Sequence, residues 1–203
     1  MRKGEETRER IVAQAAVVFN VHGYAGTAIG DIMRATGLEK GGIYRHFDSK
    51  EQLALAAFDH AVGLVRQRFA EALAGKTHAA DQLLAFVEVF RGYTQHPPLT
   101  GGCPVLNTAI ESDDTNPQLR ERACAVVEEW RCFLRTTVSA GIARSEIQRG
   151  VDPEGLALVL IGTMEGAVML AKLLDSPAPL ELSCSHLQHY IETAVRRRGE
   201  GRL

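Results

Sequence analysis

Lys40, Tyr44, Arg45, His46 and Lys50 fall within eleven residues of one stretch, TAIGDIMRATGLEKGGIYRHFDSKEQL, which runs from Thr27 to Leu53. Ammonium and guanidinium groups neutralise phosphates, and a phenol or imidazole adds a directed hydrogen bond, so this set suits docking on a nucleic-acid backbone. Lys40 would stand early on a short helix, where side chains enter a major groove and reach base edges. Lys50 would stand at a helix N-terminus, where the dipole and free N–H groups attract anions. Arg45 reads equally as a phosphate contact, a base contact or a solvated charge. The plainer alternative for the whole set is a solvated face with Tyr44 half packed; the ordered arrangement around it favours DNA.

Other chemistry is sparse. Cys103 follows Gly101-Gly102 and precedes Pro104. That places a thiol at a helix start, where the thiolate is stabilised, so Cys103 is either a sensor of oxidants or electrophiles or a small buried cap residue. Cys103, Cys124, Cys132 and Cys184 form no CxxC, and zinc-type spacing is absent. His186 and His189 lie one helical turn apart, which could hold a metal but is more commonly a pair of surface histidines. No metal and no cofactor are expected. There is no nucleophile elbow, P-loop or HExxH, so the chain is not read as an enzyme.

The elements that must position the basic set are helices. The chain has 203 residues, 45% of them apolar, enough for a packed core. A first helix spans about Glu5 to His22, with Ile11, Ala15, Val18, Phe19 and His22 on one stripe, and Gly23 stops it. Arg2 and Lys3 precede it as a basic arm. Thr27 can cap a second helix, with Asp31 in its first turn and Ile29, Ile32 and Met33 inward. Gly37 supplies the sharp turn, and a short third helix covers about Glu39 to His46 with Ile43 and Phe47 facing the core. Asp48-Ser49 caps a fourth helix that runs to about Leu73. The pattern is a helix-turn-helix.

Over roughly residues 5–55 this run resembles the DNA-binding domain of TetR-type transcriptional regulators. The matching residues are Ile11, Ala15, Phe19, Gly23-Tyr24, Thr27, Ile32, Gly37, Leu38, Lys40-Gly41, Tyr44, His46-Phe47, Ser49-Lys50-Glu51 and Leu53. The resemblance implies DNA contacts at Thr27, Lys40, Gly41, Tyr44, Arg45, His46 and Lys50, with the Thr27 hydroxyl on a phosphate. Two departures stand out: Glu39 replaces the family's frequent Ser, and Gly42 its frequent Thr or Ser. The reading face is therefore not the family's usual one.

Beyond residue 55 the likeness is architectural. The expected fold is all-α, about nine helices, with a DNA-binding domain over residues 1–50 and a larger ligand-binding and dimerisation domain over 51–203. Helices are expected over Ala79–Gln95, from Cys103-Pro104 to about Glu111, Pro117 to about Arg144, Pro153 to about Leu174, and Leu182–Val195, ahead of Arg196-Arg197-Arg198. The central helices are expected to bring Phe86, Phe90, Tyr93, Trp130, Phe133 and Met164 inward. Asn107, Glu111 and Glu165 would be the polar fixtures of an effector pocket. Plain core is the alternative for each ring. Glu165, a carboxylate in an apolar helix, would meet a dimer partner, a ligand or solvent.

One domain of this size makes too few contacts to read a genome tightly, so a homodimer on a pseudo-palindromic operator is expected. Val159, Gly162, Gly166, Met169, Leu170, Leu187, Tyr190 and Ile191 are its candidate interface. Net charge is −2, divided as +2 over residues 1–50 and −4 beyond. MRKGEETRER lacks the apolar region of a signal peptide, and the apolar run 155–174 is broken by Glu165, so it reads as a buried helix rather than a membrane span. The expectation is a cytoplasmic repressor released by an unknown small-molecule effector. Control by a protein partner or by modification of Cys103 is the alternative; a small helical enzyme or carrier is a remote one.

Overall fold

The computed structural model describes residues 3–93 and 96–197. Among them are nine α-helices: α1 (Lys3–His22), α2 (Ile29–Thr36), α3 (Lys40–Tyr44), α4 (Lys50–Leu73), α5 (Ala79–Arg91), α6 (Pro104–Ser112), α7 (Pro117–Ala143), α8 (Pro153–Leu173) and α9 (Ala178–Tyr190). A π-helical turn, Ile191–Val195, continues α9. Helix α5 ends at Arg91, short of the expected Gln95, which lies outside the described residues, as do Arg2, the Lys3 side chain and Arg198. Contacts group the chain into two compact units, 1–66 with 97–126 and 67–96 with 127–203. The boundary expected at residue 50 divides expected functions, whereas these units are groups of packed residues.

The first unit is built on the apolar stripe of α1. Ile11, Val12, Ala15 and Ala16 meet Ile32, Ile43, Phe47, Leu53, Ala57 and Ala61 in one core. His22, expected on that stripe, is exposed. It is the last residue of α1, and the chain leaves the helix at once through Gly23, whose N–H bonds to Phe19 O at 2.8 Å. Gly37 closes α2 at φ +66, its N–H bonded to Met33 O at 2.9 Å. No other residue type takes that left-handed turn as cheaply. Ser49 Oγ accepts the Gln52 N–H at 3.0 Å, and Gln52 Oε1 accepts the Asp48 N–H at 2.6 Å, which fixes the entry to α4.

In the second unit α5 packs against α8 and α9, and α8 against α9. Phe69, Phe86, Phe90 and Trp130 form its aromatic centre, with ring centroids 5.2–6.3 Å apart. Gly141 is where α7 approaches α5: a Cβ there would lie 2.6 Å from that of Ala79. Arg91 bridges α5 to α9 through Glu181 at 2.7 Å and Gln188 at 2.6 Å. Helix α8 is long and apolar enough by composition to cross a membrane. Its Leu156, Leu160, Ile161, Met164 and Ala167 are nonetheless buried, in the manner of a core helix.

Candidate nucleic-acid interface and effector region

The five-residue α3 is held from behind by Ile43, 1% exposed, and by Phe47, 1% exposed, in the α1–α2–α4 core. What remains outward is Lys40, Gly41, Tyr44 and Arg45, all exposed, with His46 half-buried. Lys40 Nζ lies 5.8 Å from the Tyr44 ring centroid, so the two side chains extend together from the same helix. A Cβ on Gly41 would meet nothing within 4 Å, and one on Gly42 would touch Leu38 at 3.6 Å. The exposed face of α3 is therefore low and basic, with Glu39 at its N-cap. Lys40 and Tyr44 thus lie side by side on α3, with Arg45 at its C-cap and His46 just beyond it.

Two expected contacts are placed differently. Thr27 is not the cap of α2: Ala28 is, and the Asp31 carboxylate accepts the Ala28 N–H at 2.7 Å. Thr27 is buried and donates its hydroxyl to Gly23 O at 2.6 Å, because the α1–α2 turn folds back over it. Lys50 opens α4, as expected, but its ammonium donates to Tyr24 O and lies 4.4 Å from the Tyr24 ring centroid. Burial, with Glu51 nearby, raises the Tyr24 phenol above its ordinary pKa.

The residues expected around an effector divide. Phe86, Phe90, Tyr93, Trp130 and Met164 are buried together in the second unit, with Phe90 and Tyr93 stacked at 5.3 Å. Glu165 is buried as well, so the solvent-facing alternative for it is excluded. Phe133, expected inward, is half-buried and lines an open groove with Thr77, Cys132 and Thr137. Asn107 and Glu111 belong to the first unit and act as clamps there. Asn107 Nδ2 donates to Asn20 Oδ1 and Gly101 O, both at 2.9 Å, and Glu111 accepts the N–H groups of Tyr24 at 2.8 Å and Ala25 at 2.7 Å. A cleft of about 40 Å³ lies beside them, between Phe19, Phe58, Ala57 and Thr108. That is room for a few waters rather than a metabolite. Sequence patterning marked Asn107 and Glu111 as polar residues on an apolar helix; it could not tell which unit that helix joins.

Cys103 is the N-cap of α6 and fully buried, whereas Cys124 and Cys132 are exposed. Burial pushes the Cys184 thiol up to about 11. His186 and His189 are exposed, and no group of metal-ligating side chains occurs among the described residues.

Of the interface candidates, Val159, Gly162, Met169, Leu170 and Tyr190 are exposed and Gly166 is half-buried. Leu187 and Ile191 are corrections: at 2% and 0% exposure they belong to the chain's own core, since α9 turns that stripe toward α5 and α8. Sequence reasoning missed Leu158, Leu173, Leu174 and Leu182, each more than half exposed.

Comparison with known proteins agrees with this geometry. Residues 11–57 match the family model described as bacterial regulatory proteins, tetR family. Residues 79–187 match the tetracyclin repressor-like C-terminal domain. The crystal structure of a TetR transcriptional regulator from Chloroflexus aurantiacus J-10-FL is 66% identical, with TM-score 0.94, over 98% of this chain and all of that one. A TetR-family transcriptional regulator from Cytophaga hutchinsonii is 32% identical, with TM-score 0.88, over 98% and 99% of the two chains. The HTH-type transcriptional repressor NemR of Escherichia coli K12 is 24% identical over 93% of this chain and 95% of its own.

Proposed function

This chain belongs to the TetR family of bacterial transcriptional regulators, and from that premise we propose that it is a cytoplasmic repressor. It would bind a pseudo-palindromic operator as a homodimer and leave it when an effector occupies the C-terminal part. The observation that carries the reading is the exposed basic face of α3, held by Ile43 and Phe47 on a rigid core. Lys40 is its candidate base contact; Tyr44, Arg45, His46 and Lys50 are candidate phosphate contacts. The name of NemR, a repressor, supports the sign of regulation.

Dimerisation would use the apolar side of α8 and the start of α9, where Val159, Met169, Leu170, Leu173 and Leu182 are exposed. Gly162 and Gly166 have no atom within 4 Å of a would-be Cβ, so a partner helix could come close. The effector would be an apolar molecule that parts the rings of Phe86, Phe90, Tyr93 and Trp130. It acts by population shift: it releases the operator by as much as it prefers the state whose recognition helices are badly spaced. Helix α4 is the element that would carry the change.

The test is fluorescence anisotropy on the DNA upstream of the chain's own gene. Affinity should fall steeply with salt, Tyr44→Ala with Lys50→Ala should abolish binding, and Lys50→Ala alone should reduce the salt slope by about 1. Binding that ignores sequence would overturn the proposal.

A further inference from the structure

Three contacts meet at Tyr24, in the turn between α1 and α2. The carboxylate of Glu111, on α6, accepts both the Tyr24 and the Ala25 N–H. Gly23, at φ +75, presents these two successive N–H groups as an anion-binding nest, and a Cβ there would lie 2.7 Å from the carboxylate. The Tyr24 ring stacks on Phe19 at 6.2 Å. Lys50, the first residue of α4, donates to Tyr24 O and sits over the Tyr24 ring. Asn107, one turn before Glu111, ties the same helix to the end of α1 through Asn20.

We propose that Glu111, Tyr24 and Lys50 form a relay through which α6 sets operator affinity. An ammonium has three protons; one goes to Tyr24 O and two remain for a phosphate. While Glu111 holds the turn, Tyr24 fixes the ammonium at the N-terminus of α4, ready to dock. When α6 moves and Glu111 lets go, Tyr24 shifts and Lys50 loses its fixed position. Glu111 is thus a positioning residue that touches no DNA. This rests on the DNA-docking reading above, but not on any effector.

A double-mutant cycle on the full chain tests it, with operator affinity measured for the wild type, Glu111→Gln, Lys50→Met and the pair. Glu111→Gln should weaken binding about fivefold or more in the wild-type background. It should do little once Lys50 is Met, because linked residues are non-additive. If Glu111→Gln binds as the wild type does, or if the two losses add, the relay is wrong. If Glu111→Gln lacks a cooperative melt, Glu111→Asp replaces it in the cycle, since it keeps the charge but is one methylene too short to hold both N–H groups; additivity with Lys50→Met then overturns the relay. A wild type that binds no DNA sequence-specifically overturns the regulator reading, and the relay with it.

Discussion

The thiol of Cys103 has no exposed surface, while Cys124 and Cys132 stand exposed on α7. A helix N-terminus favours the thiolate, but alkylation also needs access. Brief iodoacetamide treatment of the native protein, read by peptide mass spectrometry, should therefore modify Cys124 and Cys132 first and leave Cys103 and Cys184 protected. Faster reaction at Cys103 would revive a covalent sensor. Gly23 supplies a second prediction at this scale. Alanine there adds a left-handed strain and a Cβ 2.7 Å from the Glu111 carboxylate. Gly23→Ala should cost about 1–3 kcal/mol in urea denaturation.

Helix α5 depends on contacts at its start. Glu146 accepts the Ala79 N–H at 2.8 Å and is held by Arg144 at 2.9 Å. The Arg144 hydrogen bond, followed by that of the Ala79 N–H, lowers the Glu146 carboxyl to about 2. A carboxylate lowered on folding stabilises the fold fully above its unfolded pKa, about 4.3, and loses that effect as pH falls through the folded value. Glu146→Gln should melt below the wild type at neutral pH, and the gap in Tm should close between about pH 5 and pH 2. Where α7 meets α5, Gly141→Ala would force the new methyl against Ala79 and Ile147. The expected loss is about 1–3 kcal/mol, checked by chemical denaturation.

The whole molecule leaves a broad apolar face on α8 and α9, with Leu173 75% and Leu182 72% exposed. A patch of that kind marks an interaction surface. The double variant Leu170→Glu with Leu173→Glu should shift the mass measured by light scattering from two chains to one and weaken operator binding together with it. A dimer that survives both charges would place the interface elsewhere.

Local pattern alone made the helices legible, because stripes of apolar residues, the cap at Ser49, the proline in the first turn of α6 and the stop at Gly37 depend only on neighbours in the chain. The same locality made the α3 set legible, since Lys40, Tyr44, Arg45 and His46 lie on one or two turns. Long-range placement was not legible. Leu187 and Ile191 share the composition of an interface stripe, and only the packing of α9 on α5 and α8 shows that they are core. Glu111 and Asn107 have the composition of pocket residues, yet hydrogen bonds to partners more than eighty residues away make them clamps on α1 and its turn. Burial and partner choice depend on which helices meet, and helical periodicity is silent about that: it fixes which face of a helix is apolar, while tertiary structure decides what that face is packed against.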